Sequence, residues 1–415
     1  MSVKNSFKVG FFLAQRTVLR SNRYVTGLII LILTLIFLNL VGVGGLLIGM
    51  IKTGDEAYYS VYSGAIVINP LLEKKSIQDA DEVINFAKTL PGFIAYSPRL
   101  ASSAKMELDW KSKKEGSEGN SISASILGID PRLEDDTTTL NTKVVEGRFL
   151  LPEDRDSIVI GATLAGRGSG FSLGETLKGV EVGKKILLTY GNGTQKEYTI
   201  VGVLQTKVAL RSTQAFVTMK ELKEIQGITD QRYSQIAIKT ANPLQPQDFK
   251  NYFIQAGYDK KNRIEMWDET RGSALNNINI AFTLIGNVIG GIGLTVGGIT
   301  IFILIFVNAV TKRKFIGILK ASGVSSLSIV VSYIIQAMSY SFIGVSIGMA
   351  FLYGFLVPYF IKNPIDFPFS DVSLYLTRDY VTARILILFA VSFVAGLIPA
   401  YLIAKENTLN AIMGR

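Results

Sequence analysis

Two long runs without a charged residue, 272–311 and 321–361, bracket a short basic segment, TKRKFIGILKASGVSS, at 311–326. Each run is about 40 residues long, twice the roughly 20 that cross a bilayer as helix. The segment between them carries Lys312, Arg313, Lys314 and Lys320 and no acid. A compact cationic loop joining two membrane helices belongs on the cytoplasmic side. Phe315, Ile316, Ile318 and Leu319 stand among those cations and Ser322-Gly323 follows, which predicts a short amphipathic helix ended by glycine within 312–326. A cytoplasmic partner is expected to dock there.

Composition fits spans plus one large water-soluble region. The 415 residues are 48% hydrophobic, with mean hydropathy +0.33 and net charge +10. That is too apolar for an ordinary soluble enzyme and too charged for an all-membrane bundle. Residues 1–50 hold five basic residues and no acid, 51–277 balance 29 against 29, and 278–415 hold nine against four. The excess therefore lies beside the hydrophobic runs, where the positive-inside rule and anionic headgroups account for it, so no nucleic-acid partner is expected. Cysteine and histidine are absent, which excludes disulfides, thiol chemistry, an imidazole base and any Cys/His metal site.

In chain order, 1–23 predicts a cytoplasmic amphipathic helix, with Val3, Phe7, Phe11, Ala14 and Val18 on its apolar face. It would lie on the inner leaflet or form the charged flank of a signal sequence. Residues 24–51 predict the first span, an uncleaved signal anchor. Gly42, Gly44, Gly45 and Gly49 crowd its outer half, for close helix approach or for loose packing beside a cavity. Residues 52–271 break into short alternating segments and predict one α+β domain outside the cytoplasm, in two lobes. Strands are expected at 62–69, 121–128, 157–160, 185–190, 198–204 and 235–239, and helices at 79–89, 220–226 and 247–256. A polar loop is expected at 111–120, and Gly191-Asn192-Gly193 signals a hairpin.

Residues 272–311 would extend about 60 Å as one helix, a stalk followed by the second span. The third span is expected at 327–357, an outer loop at 358–384, the fourth span at 385–404 and a cytoplasmic tail at 405–415. The fold class is thus membrane α-helical, with four transmembrane helices and a large α+β extracytoplasmic domain inserted between the first and second spans. Both termini are expected inside.

No stretch reads GxxxxGK[ST], and the glycines at 179 and 183 before Lys184 have the wrong spacing and no following hydroxyl. The acid clusters Glu134-Asp135-Asp136 and Glu153-Asp154-Arg155-Asp156 read as solvated loop acids rather than a cation site. No serine or threonine has a partner base. The chain is expected to be no enzyme and to hold no metal or cofactor.

Several stretches resemble the MacB/FtsX-like permeases of ABC transporters, and among them the lipoprotein-releasing (LolC/LolE-like) subunits. Residues 311–324 are similar to the family's REIGILKALGAS coupling segment. Gly128-Ile129-Asp130-Pro131, with Glu134, resembles its GIDP…E element, followed by Val145-Glu146-Gly147-Arg148-Phe149. The segments 182–184 and 198–204 resemble strands of the same domain, Trp267-Asp268-Glu269 its W-x-E, and 397–404 its last-span ending. The similarity runs in order through nearly the whole chain. Phe315 stands where the family usually has Glu, and the 191–194 hairpin is short where some lipoprotein-releasing subunits carry a long chaperone-binding hook.

The resemblance implies a bacterial inner-membrane permease subunit that pairs with a second, identical or homologous permease and two copies of a cytoplasmic ABC ATPase. ATP and magnesium would be bound by that ATPase. The residues implied to seat on it are Lys312, Arg313, Lys314, Phe315, Gly317, Ile318, Leu319, Lys320 and Gly323. Closure of the ATPase pair would move the first two spans and the periplasmic domain, extracting a lipoprotein for outer-membrane delivery, with a periplasmic chaperone or adaptor as a further partner. Alternatives are MacB-like tripartite export of a peptide, drug or glycolipid, and FtsX-like regulation of a cell-wall hydrolase. Leu40, Val43, Leu47, Ile280, Leu284 and Val288 are the candidate lining of a cargo cavity, with ordinary helix packing as the alternative for each.

Overall fold

The structure is a computed structural model and describes residues 3–20, 23–112, 119–167, 176–242, 246–367 and 370–405. The ends of the expected N-terminal helix, most of the polar loop expected at 111–120 and the tail beyond 405 lie outside the described residues. The helices are α1 Val3–Arg20, α2 Arg23–Leu38, α3 Gly44–Tyr58, α4 Ala80–Thr89, α5 Pro131–Thr137, α6 Ala209–Ser212, α7 Met219–Gln226, α8 Gln247–Gln255, α9 Gly272–Thr311, α10 Arg313–Ala321, α11 Ser326–Phe351, α12 Val357–Lys362 and α13 Arg378–Ala404. The strands are β1 Ile66–Pro70, β2 Phe93–Leu108, β3 Ser121–Ile129, β4 Val144–Gly147, β5 Ser157–Gly161, β6 Lys185–Tyr190, β7 Gln195–Leu204, β8 Gln214–Thr218, β9 Gln235–Thr240, β10 Asn262–Met266, β11 Ile365–Phe367 and β12 Ser370–Val372. Among the described residues, four helices are long and apolar enough to cross a membrane: Arg23–Ser63, Asn276–Thr311, Ser326–Lys362 and Arg378–Leu402. The chain forms two compact units, one from 1–51, 278–365 and 372–415, the other from 52–277 with 366–371.

In the helical unit α11 is central. Small residues set how closely its neighbours approach. On α1 the buried face is Ser6, Gly10 and Ala14, one residue per helical turn. A Cβ on Gly10 would press on Val331 and the Ser328 carbonyl, and Ser6 Oγ lies 3.0 Å from Ser325 Oγ. Phe7 and Phe11 of the expected apolar face are exposed, because the backbone lies flush on α11 along the small side chains instead. On α11 itself Gly344 seats Leu33 and Gly348 seats Phe37, and the Thr34 hydroxyl donates to the Gly344 carbonyl at 3.2 Å. Gly286, Gly290 and Gly297 on α9 receive Leu47, Leu40 and Ile36 of the first long helix in the same way.

That first helix contains a π-helical turn, Asn39–Val43, and the Tyr380 hydroxyl donates to the Leu40 carbonyl within it at 3.1 Å. Wide turns of this kind loosen the i→i−4 ladder and leave carbonyls open to such partners. The glycines just beyond seat the chain that leads into α13 rather than another helix. Gly45 lies against Leu374 and Leu376, and Tyr375 N–H donates to its carbonyl at 3.1 Å. A Cβ on Gly49 would collide with the Ser373 carbonyl oxygen. Gly49→Ala is therefore expected to cost about 1–3 kcal/mol by overpacking, read as a lower unfolding temperature in detergent. Gly27→Ala, with nothing within 4 Å of the added carbon, should leave it unchanged.

Two expected boundaries shift. The third long helix continues through α12 to Lys362, and α13 begins at Arg378, so the link between them is shorter than the expected 358–384. Pro358 falls in the first turn of α12, where it ends no helix, and Arg384 ends an apolar run inside α13. Likewise the expected strand at 62–69 begins only at Ile66, because 59–63 is a π-helical turn closed by Gly64 at φ +62°.

In the α+β unit the strand order is β10-β1-β9-β2-β3-β8-β5-β7-β4, and β6 pairs both β2 and β7. The second pairing closes β2, β3, β8, β5, β7 and β6 into a ring. Its interior is filled by side chains such as Met106, Ile126, Ile160, Leu188 and Ile200. The other half is an open sheet of β10, β1 and β9 beside β2, covered by α4 and α8 over Ile66, Val83, Ile238 and Phe253. The expected two lobes are thus two halves of one continuous sheet. β2, 16 residues long, belongs to both. Residues 366–371 also join this unit, where Lys207 Nζ bonds Asp366, Asp371 at 3.0 Å and the Phe367 carbonyl at 3.0 Å.

Candidate coupling site

α9 ends at Thr311, Lys312 leaves helical geometry, and α10 begins one residue later. Its far end is a closed glycine turn. Gly323, at φ +89°, donates to the Lys320 carbonyl at 3.0 Å and Val324 donates to Leu319 at 3.0 Å, the paired bonds of a Schellman motif. Two opposed faces result. Ile316 and Gly317 are buried, Ile316 within the core of the helical unit. Phe315 and Ile318 are 55% and 56% exposed on the other side, with Lys312 and Lys314 exposed beside them. Two outward apolar side chains among cations make a surface suited to an acidic groove with an apolar floor.

The remaining expected contacts are not all on that surface. Lys320 Nζ donates to the Ala404 carbonyl at 2.8 Å, placing a cation at the C-terminal end of α13; such a cation complements the helix dipole. Leu319 is half-buried and faces a cavity of about 310 Å³ with Leu13, Thr17 and Tyr333, which Lys312 and Phe315 also border from the outward face. Arg313 is half-buried as well. Gly323 shapes the turn and has open space around it.

The six cargo-cavity candidates separate into two groups. Leu40 is buried against Gly290, Leu47 packs on Gly286, and Val43 is half-buried in the π-helical turn. Leu40 and Leu47 therefore serve helix packing. Ile280, Leu284 and Val288 are 58%, 59% and 60% exposed along one side of α9.

A second constellation holds the ends of the two long helices inside the α+β unit, joining the motif residues Asp130, Glu134 and Trp267 to Arg99 and Arg211, which no sequence motif marked. Arg99 and Glu134 are both 0% exposed and form a bidentate pair, Nη2 to Oε1 at 2.6 Å and Nε to Oε2 at 2.9 Å. Ser97 and Thr138 also donate to Glu134, at 2.5 and 2.8 Å. Glu134 is no solvated loop acid. Asp130 caps α5 by accepting from Arg132 N and Leu133 N, which aims Glu134 inward one turn later. Burial alone would raise the Glu134 carboxyl, but Arg99 outweighs it and holds it at about 2. Arg211, buried beside the pair, is pushed down to about 10 by burial and by the Arg99 charge.

Both guanidinium groups donate to the Tyr62 carbonyl, Arg99 at 2.5 Å and Arg211 at 3.1 Å, and Arg211 lies 4.4 Å over the Tyr62 ring. That carbonyl sits in the last turn of the first long helix, its negative end. Nearby, Arg271 pairs with Asp55, the Tyr58 hydroxyl donates to the Thr270 carbonyl at 2.9 Å, and Trp267 meets Tyr59 edge to face. The signal for Arg99 was an arginine inside an apolar strand, hidden because Pro98 beside it breaks the alternation.

Residues 24–256 match the family of MacB-like periplasmic core domains, and residues 287–408 match the FtsX-like permease C-terminal family. Among solved structures, the periplasmic region of MacB from Actinobacillus actinomycetemcomitans is similar at 13% identity and a TM-score of 0.32, covering 51% of this chain and 92% of that one. No curated protein matches the chain.

Proposed function

Because the chain belongs to the MacB/FtsX-like permeases, membrane subunits of ABC transporters that work with ABC ATPase partners, we propose that α10 receives the ATPase and that its movement reaches the periplasmic domain through the two long helices. The observation that carries this reading is the outward pair Phe315 and Ile318 on a basic helix directly following the 40-residue α9. An ATPase that closes on α10 would pull on α9. At the other end, the Arg271–Asp55 pair and the arginines on Tyr62 would resist slippage of the helix ends.

The favoured task is extraction of lipoproteins from the bacterial inner membrane, with both termini cytoplasmic and a second permease completing the transporter. MacB-like export is the second reading, favoured by the match of 24–256 to the MacB-like core domain and by the short β6–β7 hairpin. Native purification in mild detergent, followed by mass spectrometry of retained proteins and lipids, separates these readings. A retained ABC ATPase with a triacylated lipoprotein is the expected result. An ATPase with a periplasmic adaptor would move the task to export, and no ATPase under conditions that preserve the fold would contradict the proposal.

A further inference from the structure

The link between the third and fourth long helices is held at two places by different means. Beyond α12, Asp366, the Phe367 carbonyl and Asp371 converge on Lys207 Nζ, so the three donors of one ammonium meet three acceptors. A little further along, 373–376 rests on Gly45 and Gly49 of the first long helix through backbone contacts, including the Tyr375 N–H on the Gly45 carbonyl.

The sequence around each charge aims it. Lys207 stands between buried Thr206 and Val208, which turns its side chain outward from the domain. Thr206 fixes that turn, its N–H donating to Ser212 Oγ at 3.1 Å and its hydroxyl to the Val208 carbonyl at 2.8 Å. Asp371 is placed in the same way, between buried Ser370 and Val372 in β12, and points to the opposite side from both. Burial opposes the Lys207 charge, but the bonds to Asp366 and Asp371 outweigh it and hold the ammonium above its ordinary range, so it is charged at neutral pH. Both aspartates are exposed, and exposed ion pairs add little net stability and weaken in salt. The backbone packing on Gly45 and Gly49 has no such weakness. Of the two moorings, only the one at Lys207 can open without disturbing a packed core.

We propose that Lys207, Asp366 and Asp371 form a releasable charge latch that fastens the link between α12 and α13 to the periplasmic domain. Closed, it gives that domain a further attachment beside the joints at Tyr62 and Arg271. Opened, it leaves the link held by the first long helix alone. The latch does not depend on where the ATPase docks.

The test uses the full chain in mild detergent, without ATPase or nucleotide. Zero-length carbodiimide coupling should join Lys207 to Asp366 or Asp371, read as a crosslinked peptide by mass spectrometry. Spin labels at Lys220→Cys and Lys362→Cys, both exposed positions, should give one narrow distance population. Lys207→Glu, which sets three carboxylates together, should replace it by a broad one. Asp366→Asn with Asp371→Asn should do the same, and both side chains are exposed, so the fold is kept. Lys207→Glu with Asp366→Lys and Asp371→Lys exchanges the charges and should recover the narrow population. Absence of the Lys207 crosslink in the unaltered chain would overturn the proposal. So would a distribution that neither charge variant changes, or one that stays broad after the charges are exchanged.

Discussion

Glu134→Gln is expected to destabilise the periplasmic domain severely. It leaves Arg99 and Arg211 buried with no carboxylate between them. Breaking a buried pair from one side typically costs about 3–5 kcal/mol, because the surviving charge keeps its desolvation penalty. For a domain of this size, that corresponds to a fall of roughly 6–20 °C in unfolding temperature. Arg99→Met should cost less, since it leaves one cation and one carboxylate. The ordering of the two variants separates charge imbalance from simple loss of packing, and equal effects would contradict the charge account.

The same pair sets a pH dependence. The Glu134 carboxyl is lower in the folded state, about 2, than its ordinary value of 4.5. A depressed folded value means that the unfolded state binds the proton more readily, so acid favours unfolding. Stabilisation from this group is complete above about pH 4.5 and is lost as the pH falls toward about 2. Thermal unfolding of the intact chain followed between those values should show the loss, and Glu134→Gln should remove this contribution to the slope.

Phe315→Asp together with Ile318→Asp is expected to abolish ATPase co-purification while leaving the fold intact. Both side chains face outward, so the aspartates enter solvent rather than the core. At a docked interface they would bury two unpaired charges, and losing a central apolar anchor typically costs about 2 kcal/mol or more per residue. Substitutions at Gly317 or Leu319 would be poorer probes, because those positions are buried or half-buried. Unchanged ATPase retention with the outward pair substituted would move the docking surface elsewhere.

Local signals explain what was readable in the chain. The strand Lys185–Tyr190, the turn at Gly191-Asn192-Gly193 and the helix end at Gly323 each depend on neighbours a few residues away. What stayed hidden depends on distant partners. Arg99 is tolerable in β2 only because Glu134 arrives from another element, and Lys320 is directed to the Ala404 carbonyl 84 residues later. Closure of the ring through β6 and β2 has no local mark. Among small residues, the crowded glycines at 42, 44, 45 and 49 are plain in the sequence. The stripe of Ser6, Gly10 and Ala14 escaped because the larger Phe7 and Phe11 dominate hydrophobic periodicity, although lipid can cover them as readily as protein.

The chain has no native cysteine, so two introduced labels report without background. Lys220→Cys in the periplasmic domain and Lys362→Cys at the end of the third long helix are both exposed positions. Spin labels there, in the complex reconstituted with its ATPase, give a distance distribution with and without trapped ATP. A shift on trapping, abolished by Phe315→Asp with Ile318→Asp, is the result expected if ATPase closure moves the periplasmic domain. An identical distribution in both states, with the ATPase bound and turning over, would contradict it.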